Sequence, residues 1–355
     1  MSIEIGSASE LNVDMASVAF FYQSNWTRRI ALSNEKFYEW QFSNTPNKLG
    51  DQCCLALKSG EIVAVMGLTE RPFFLKGEEK KGVELTTWIV KESSRNLGLG
   101  PKMLDYLKSK YNVMFGMGIS EQALPVYLRM GFKYLKSIPR FVKVLNHDVV
   151  KKFGHSTPLV NKLSKIKVKN EKYTIFDASK EVVDDIFNDF SISNNLFLRN
   201  YDWIKWRYIE HPSFSYNVKI IGNEKHGKCI VIYRIDIIEE LKIMHCVDLF
   251  GDKKTCLSAI SFLEDEGASL GVDVIDFYST NSGVNSLFIY KNWLSVLDCD
   301  FFDFPHLFHP IELRTPSTTS LIMWSNDDSP YLYEMGNLYI TKQDCDFDRP
   351  VMENL

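Results

Sequence analysis

The sequence predicts an α/β protein built from two copies of one unit, because the same landmarks occur twice in the same order. Trp40 in EWQFSNTP and Trp206 in KWRYIEHP are each followed by a proline six positions later. Each half then continues with strand-like runs, a helix-like run, another strand and a short segment containing a tyrosine, Tyr127 or Tyr290. The tryptophan-to-tyrosine spans are nearly equal, at 87 residues from 40 to 127 and 84 residues from 206 to 290. A duplicated α/β unit explains this agreement better than chance.

The elements of each unit are predicted from their apolar patterns. The first half has strand-like CCLAL, IVAVMGL and ELTTWIV, a helix in PKMLDYLKSK, a strand in VMFGMGI and a short helix in LPVYLRMGF. The second half has NVKII, CIVIYRI and MHCVDLF, then CLSAISFLEDE, VIDFYS and SLFIYKNWL in the corresponding places. We therefore expect the same sequence of strands and helices in both halves.

A Lys-rich stretch with weak apolar periodicity separates the two units. The stretch KKFGHSTPLVNKLSKIKVKNEKY predicts a boundary between Lys151 and Asn170, which gives domains 1–150 and 151–355. A chain of 355 residues is long enough for two domains of ordinary size. After Leu294, short apolar runs alternate with Pro and Asp, and we expect extra strands or loops packed on one half.

Composition and charge exclude several classes of protein. Hydrophobic residues make up 45% and charged residues 24%, as in globular proteins, and the net charge of −4 provides no basic field for nucleic acid. The start, MSIEIGSASELNVDMA, lacks the basic and apolar regions of a signal peptide, and no apolar run reaches the roughly 18 residues of a spanning helix. The seven cysteines form no CxxC pair, so we expect reduced thiols in a cytoplasmic protein.

The strongest chemical motif is Arg-x-x-Gly-x-Gly, from Arg95 to Gly100, between a predicted strand and a predicted helix. Glycines let backbone N–H groups approach an anion without obstruction by a Cβ atom, and Pro101 suits the first turn of the helix. The positive end of that helix then faces the anion, so the motif predicts a diphosphate site. A Rossmann site would follow the first strand, and a P-loop would continue with Gly-Lys-Ser/Thr; neither is the case here.

These features resemble the GNAT superfamily of acyl-CoA N-acyltransferases. Arg95 to Gly100 is similar to that family's diphosphate loop, and VYLRMGF, from Val126 to Phe132, is similar to its Tyr-x-x-x-Gly-Phe segment. The resemblance implies two GNAT-like domains in tandem, each a mixed, mainly antiparallel sheet flanked by helices. It departs from many members at Ser120-Glu121, where they carry Asn. The residues that it implies for binding acyl-CoA are Trp88, Ile89, Val90, Arg95, Asn96, Leu97, Gly98, Leu99 and Gly100.

The resemblance also implies a direct attack of an amine on the thioester, through a tetrahedral intermediate whose oxyanion accepts a backbone N–H. Tyr127 is the candidate acid that protonates the leaving thiolate, and Glu84 is the candidate base, acting through a water. An amino-sugar amine is partly neutral near pH 7, so a dedicated base is not required. The second half has Phe250 to Thr255, with Asp252, in place of the loop, and we expect no coenzyme A there.

The duplicated organisation, the segment WIKWRYIEHP and the ending YITKQDCDFDRP resemble bacterial tandem-GNAT sugar N-acyltransferases. Those enzymes acylate dTDP-linked amino-deoxysugars for surface polysaccharides such as the lipopolysaccharide O-antigen. We expect Arg28 and Arg29 to hold the diphosphate of such an acceptor, because Arg forks match phosphate oxygens. Two alternatives stay open: an acyltransferase with a peptide, aminoacyl or small-amine acceptor, and a non-catalytic module that binds coenzyme A. The oligomeric state is open too, with a homodimer as one candidate.

Two further patterns imitate metal sites, and we expect no metal at either. His306 and His309 lie beside Asp303 between prolines, where too few ligands are grouped for zinc. The series from Asp344 to Asp348 begins like a calcium loop but lacks its glycine and its closing glutamate. Trp203 and Trp206 could stack on a base, but the repeat partner of Trp206, Trp40, favours a core role.

Overall fold

The computed structural model describes residues 2–26, 30–48, 52–166, 168–223, 227–297, 300–305, 318–327, 330–345 and 349–350. The predicted fold class is confirmed: two large mixed sheets, each flanked by helices, account for most of the strands in these residues. The predicted strands and helices of both repeats are present, including the short closing helices that carry Tyr127 and Tyr290.

The strands in chain order are β1 Ile3–Ser7, β2 Cys53–Lys58, β3 Glu61–Glu70, β4 Phe73–Leu75, β5 Glu78–Lys80, β6 Gly82–Val90, β7 Val113–Met117, β8 Lys133–Leu135, β9 Arg140–Val144, β10 His155–Ser156, β11 Thr174–Phe176, β12 Leu196–Phe197, β13 Asn217–Gly222, β14 Lys228–Ile238, β15 Leu241–Gly251, β16 Val274–Tyr278, β17 Leu294–Ser295, β18 Phe302–Asp303 and β19 Leu321–Ser325.

The α-helices are α1 Met15–Asn25, α2 Glu35–Tyr38, α3 Leu99–Lys110, α4 Leu124–Arg129, α5 His147–Phe153, α6 Pro158–Ser164, α7 Lys180–Ser191, α8 Tyr201–Ile204, α9 Lys253–Ser269 and α10 Ser282–Tyr290. A π-helical segment follows each of two helices: Glu39–Ser43 follows α2, and Lys205–Ile209 follows α8. They contain Trp40 and Trp206, so even this unusual backbone feature occurs in both repeats.

The two large sheets have equivalent strand orders. The first is β1-β2-β3-β6-β7-β19-β8, and the second is β11-β13-β14-β15-β16-β9-β17. Each contains a single parallel pair among its described strands, β6 with β7 and β15 with β16, and the other neighbours are antiparallel. Long apolar runs such as β3 and β15 are buried along most of their length, because helices cover the sheets.

The two halves exchange one strand each. β9 precedes the predicted boundary at residue 150 but pairs with β16 and β17 in the second sheet. β19 comes from the end of the chain but pairs with β7 and β8 in the first sheet. The boundary therefore does not separate the sheets, and the expectation that the C-terminal tail packs on one half is wrong, since it packs on both. The sequence of a short strand does not indicate which distant strand it will pair with, because consecutive elements are usually neighbours in space.

Two tryptophans join the halves at equivalent places. The rings of Trp40 and Trp206 stack with centroids 5.1 Å apart, and Nε1 of Trp206 donates a hydrogen bond to the backbone oxygen of Trp40 at 3.2 Å. Trp203 is only 2% exposed and lies against Trp206. The core role expected for Trp206 is thus observed, and the burial of Trp203 leaves no room for a stacked base.

Candidate active site

The parallel strands β6 and β7 separate partway along their length. They pair only from Gly82 with Val113 to Glu84 with Phe115, although β6 continues to Val90. Beyond Glu84, no strand of the described chain pairs with this edge of β6, so its backbone N–H and C=O groups face a gap. Backbone groups in such a gap can bind an extended ligand as an added strand would be bound.

A bulge in β6 lies beside the gap, and no pattern in the sequence predicts it. The pairing of β3 with β6 shifts register between Val65 and Gly67, so β6 has one extra residue there. Thr87 has a positive φ of 44°, and its backbone oxygen accepts a hydrogen bond from the Tyr22 hydroxyl of α1 at 3.0 Å. The hydrogen bond from α1 therefore holds the bulge in place, and the bulge changes the direction of the backbone from Trp88 to Val90.

The Arg95–Gly100 motif forms a 3₁₀ turn, Glu92–Leu97, followed by Gly98 in the left-handed conformation with φ of 64°. A Cβ atom at Gly98 would meet no protein atom within 4 Å, so the open space above this residue faces away from the core. No side chain caps the N-terminus of α3. Its first N–H groups therefore remain available, and they are the groups that bind phosphate at helix N-termini.

The equivalent helix of the second half is closed to an anion. Asp252 caps α9 and accepts hydrogen bonds from the backbone N and Oγ1 of Thr255, both at 2.8 Å. Its carboxylate occupies the position that a phosphate would need. Asp252 therefore brings a negative charge to this helix end and also accepts the hydrogen bond of a backbone N–H group there.

The gap of the second half is filled by the protein itself. β15 and β16 pair only from Ile243 to His245 and then diverge as β6 and β7 do. The backbone N of Thr280, just after β16, donates to the Ile340 oxygen at 3.0 Å, and the Tyr339 hydroxyl lies 2.8 Å from an Asp248 oxygen on β15. The segment at 338–341 thus contacts both diverging strands in the place that stays open in the first half.

Gly100, Trp88 and Tyr127 bring three elements together. A Cβ atom at Gly100 would lie 2.9 Å from the Trp88 ring and 3.2 Å from Val126, so glycine is needed at this second loop position. The rings of Trp88 and Tyr127 meet edge to face with centroids 5.3 Å apart. The end of β6, the start of α3 and helix α4 therefore form one wall of the site.

Tyr127 is 4% exposed, and burial raises its pKa above the ordinary value. Its hydroxyl makes no hydrogen bond with any of the described residues. A phenol in this state keeps its proton near neutral pH.

Glu84, the last residue of β6 that pairs with β7, lines a cleft between the two halves, and Tyr127 is not among the residues of that cleft. Glu84 is 6% exposed and interacts electrostatically with Arg71, whose guanidinium pairs with Asp344 at 2.6 Å. The cleft is narrow, with a cavity volume of about 20 Å³. Its other lining residues come from both halves and from the C-terminal segment: Phe37, Trp40, Gln41, Thr69, Trp206, Arg207, Gln343, Cys345 and Arg349.

Sequence reasoning missed the residues of this cleft. Arg71 and Gln343 belong to no sequence motif. Only the fold places them beside Glu84 in the lining of the cleft. Arg28, Arg29, His306, His309, Asp346 and Asp348 lie outside the described residues. Within the described chain there is no group of three or more His, Cys, Asp or Glu suited to a metal ion. The six described cysteines are buried and unbridged.

None of the helices in the described part of the chain has the length and apolar character needed to traverse a bilayer.

The comparison with known proteins agrees with this geometry. Residues 17–132 match the model of the Acetyltransferase (GNAT) family. A GCN5-related N-acetyltransferase from Anabaena variabilis is similar in structure, with a TM-score of 0.58 at 8% identity over 91% of this chain and 72% of that one. A probable N-acyltransferase from Enterococcus faecalis gives 0.56 at 13% identity over 93% and 74%. No curated protein matches the chain.

Saccharomyces cerevisiae N-myristoyltransferase with bound myristoyl-CoA is also similar, with a TM-score of 0.51 at 12% identity over 91% of this chain and 82% of that one. Residues 17–132 of the first half therefore match the GNAT acetyltransferase family, and the solved structures show the shared fold. The family match supports an acyl-CoA-dependent N-acyltransferase.

Proposed function

We propose that the protein transfers an acyl group from acyl-CoA to the amino group of a dTDP-linked amino-deoxysugar for surface polysaccharide synthesis. The particular enzyme that the sequence resembles is dTDP-3-amino-3,6-dideoxygalactose N-acyltransferase, and the acyl group proposed is 3-hydroxybutanoyl. The observation that carries the acyl-transfer part is the open gap after Glu84, with the uncapped N-terminus of α3 at one end and the polar cleft at the other.

The proposed binding of acyl-CoA uses backbone groups more than side chains. The diphosphate lies on the N–H groups of Gly98 to Gly100 with Arg95 beside it, and the thioester arm pairs with the free edge of β6 at Trp88, Ile89 and Val90. The support for this arrangement is that both glycines are required by the loop itself and that nothing described covers the edge.

In the proposed reaction, the acceptor amine attacks the thioester carbonyl and a C–N bond forms. A backbone N–H of the β6 bulge region donates to the resulting oxyanion. The C–S bond then breaks, and the Tyr127 hydroxyl gives its proton to the leaving thiolate. Glu84 accepts the proton released by the amine through a water, and its place in the cleft is what supports this role.

A thiol-release assay tests the acceptor. Acetyl-CoA and 3-hydroxybutanoyl-CoA are each offered dTDP-amino sugars, a peptide with a free amine, and spermidine. We expect the fastest release with 3-hydroxybutanoyl-CoA and dTDP-3-amino-3,6-dideoxygalactose. If thiol is released only with the peptide or spermidine, the acceptor belongs to the peptide or small-amine class and not to the sugars. If no acceptor gives thiol release, the result favours a non-catalytic module that binds coenzyme A.

Arg28 and Arg29 remain the proposed contacts to the acceptor diphosphate. Loss of one charge-assisted contact costs roughly 1.5–3 kcal/mol, so Arg28→Ala and Arg29→Ala should raise the KM for the nucleotide sugar about 10- to 150-fold. The matched control is Arg95→Ala, which should raise the KM for acyl-CoA and leave that for the sugar unchanged.

The proposal extends to a cytoplasmic location and a homodimer, and light scattering measures the oligomeric state.

A further inference from the structure

Thr87, the first residue of the β6 bulge, has a backbone conformation that its residue type disfavours. Its φ is positive, at 44°, which is uncommon for any residue except glycine and an outlier for a β-branched side chain. Thr87 and Trp88 together lie opposite Met66 of β3, and the first residue of a bulge with positive φ is usually glycine. Strain of this kind persists only where surrounding contacts impose it, and it is concentrated at functional sites.

Two side chains from distant parts of the chain hold Thr87 in this conformation. The Tyr22 hydroxyl of α1 donates a hydrogen bond to its backbone oxygen at 3.0 Å. Nη2 of Arg349 donates to its Oγ1 at 3.1 Å and to Oγ1 of Thr86 at 3.5 Å. The bulged residue is therefore bound at both its backbone and its side chain, which is the support that a strained threonine requires.

Arg349 is itself fixed by the segment at which the two halves meet. Its Nε donates to Oε1 of Gln41 at 3.1 Å, and Gln41 is 6% exposed in the π-helical segment Glu39–Ser43. The same segment carries Trp40, which stacks on Trp206 of the second half. The guanidinium therefore bridges this segment and the β6 bulge, which lies 262 residues away from Arg349 in the sequence.

The equivalent bulge of the second half lacks the strain. The pairing of β14 with β15 shifts register between Ile232 and Tyr233, which leaves Val247 as an extra residue of β15. Neither Val247 nor the residues beside it, Cys246 and Asp248, has a positive φ. The strained conformation is therefore found at the bulge beside the open gap and not at the bulge beside the filled one.

We infer that Arg349 is a positioning residue of the acyl-transfer site. By holding Thr87 in its strained conformation, it sets the direction of the backbone from Trp88 to Val90 along the gap. The inference rests on the proposed function, in which that backbone binds the thioester arm and a backbone N–H of the bulge region binds the oxyanion. Arg349 acts through Thr87 and contacts no reacting atom. The acyl-CoA site of the first half thus includes a residue from the C-terminal segment of the chain.

The test compares Arg349→Met with the wild type by calorimetry, using 3-hydroxybutanoyl-CoA and 3′-phospho-ADP as ligands. The second ligand contains the diphosphate but lacks the pantetheine arm. Because Arg349→Met removes the charge-assisted hydrogen bonds that hold Thr87, the Kd for 3-hydroxybutanoyl-CoA should rise roughly tenfold or more. The Kd for 3′-phospho-ADP should stay unchanged, since the loop from Arg95 to Gly100 is not altered.

Thr87→Gly provides a rescue that only the positioning role predicts. Glycine takes up a positive φ without strain and needs no hydrogen bond to stay there. The double variant Arg349→Met/Thr87→Gly should therefore regain most of the affinity for 3-hydroxybutanoyl-CoA that Arg349→Met loses.

Arg207 provides a matched control, because it is a buried arginine that also contacts the C-terminal segment but not the bulge. Its Nη2 donates to the backbone oxygen of Cys345 at 2.9 Å. Arg207→Met should lower the melting temperature and leave both Kd values unchanged. Melting temperatures of all the variants show whether each one is folded.

The outcomes separate this inference from the proposed function. If Arg349→Met binds 3-hydroxybutanoyl-CoA as the wild type does, or the double variant binds it no better than Arg349→Met, the positioning role is wrong while the proposed function stands. If Arg349→Met does not fold, or weakens both ligands equally, the substitution acts on the whole fold and the positioning role is again wrong. If the wild type binds neither ligand, the acyl-CoA site of the proposed function falls together with this inference.

Discussion

At the residue scale, Tyr127 is the proposed acid for the leaving thiolate. It is buried against Trp88, and burial raises its pKa, so the hydroxyl stays protonated near neutral pH. Its position was predictable because the tyrosine lies in a recognisable segment. Its contact with Trp88 was not predictable, because that contact depends on how α4 approaches the bulged end of β6.

Tyr127→Phe should lower kcat by roughly 100-fold or more, the scale of general acid catalysis, with little change in the KM for acyl-CoA. Because the pKa of Tyr127 is raised above its ordinary value of 10.0, the wild-type kcat should show no alkaline decline from this group below that pH. Steady-state kinetics across pH measures both effects.

The repeat supplies a matched control for this substitution, since Tyr290 is the equivalent tyrosine and is 59% exposed. Tyr290→Phe should leave kcat unchanged. Full turnover in the Tyr127 variant would remove this residue from the mechanism.

At the element scale, α3 and α9 occupy equivalent places but differ at their N-termini. α3 begins at Gly98 without a side-chain cap, whereas Asp252 caps α9. This difference could be predicted from the sequence, because glycine and aspartate at the same repeat position have opposite consequences for an anion. The filling of the second gap by Tyr339 and Ile340 could not be predicted, since those residues are about 60 positions from Thr280.

Asp252→Asn should therefore not create a second coenzyme A site. The substitution removes the charge at α9, but the segment at 338–341 still occupies the gap where the pantetheine arm would lie. Isothermal titration with coenzyme A should give the same stoichiometry as the wild type. Binding of one additional equivalent would show that charge alone closes the second half.

At the scale of the whole molecule, the C-terminal part of the chain joins the two repeats. β19 completes the first sheet, and Asp344 pairs with Arg71 from the first half and Arg199 from the second. The repeat itself was evident from Trp40 and Trp206. The strand exchange and this buried ion network could not be predicted from the sequence. Each joins residues that are far apart in the chain, and the local sequence around them is that of an ordinary strand or turn.

Asp344→Asn should destabilise the protein by about 3–5 kcal/mol, because it removes the carboxylate that Arg71 and Arg199 share in a buried site. Glu84 then remains near Arg71, and Asp248 remains paired with Arg199. Urea unfolding measures the change. The control is Asp202→Asn, which breaks an exposed pair with Lys180 and should have no measurable effect on stability. Equal stability of both variants would mean that the network does not hold the halves together.

The most direct test of the account is a calorimetric titration of coenzyme A into the wild type, Gly98→Val and Gly60→Val. Gly98 and Gly60 both have positive φ, 64° and 83°, and open space above them, so the two substitutions impose similar backbone strain. We predict one site per chain in the wild type, loss of binding in Gly98→Val and unchanged binding in Gly60→Val. No binding in the wild type, or full binding in Gly98→Val, would contradict the assignment of the acyl-CoA site to the first half.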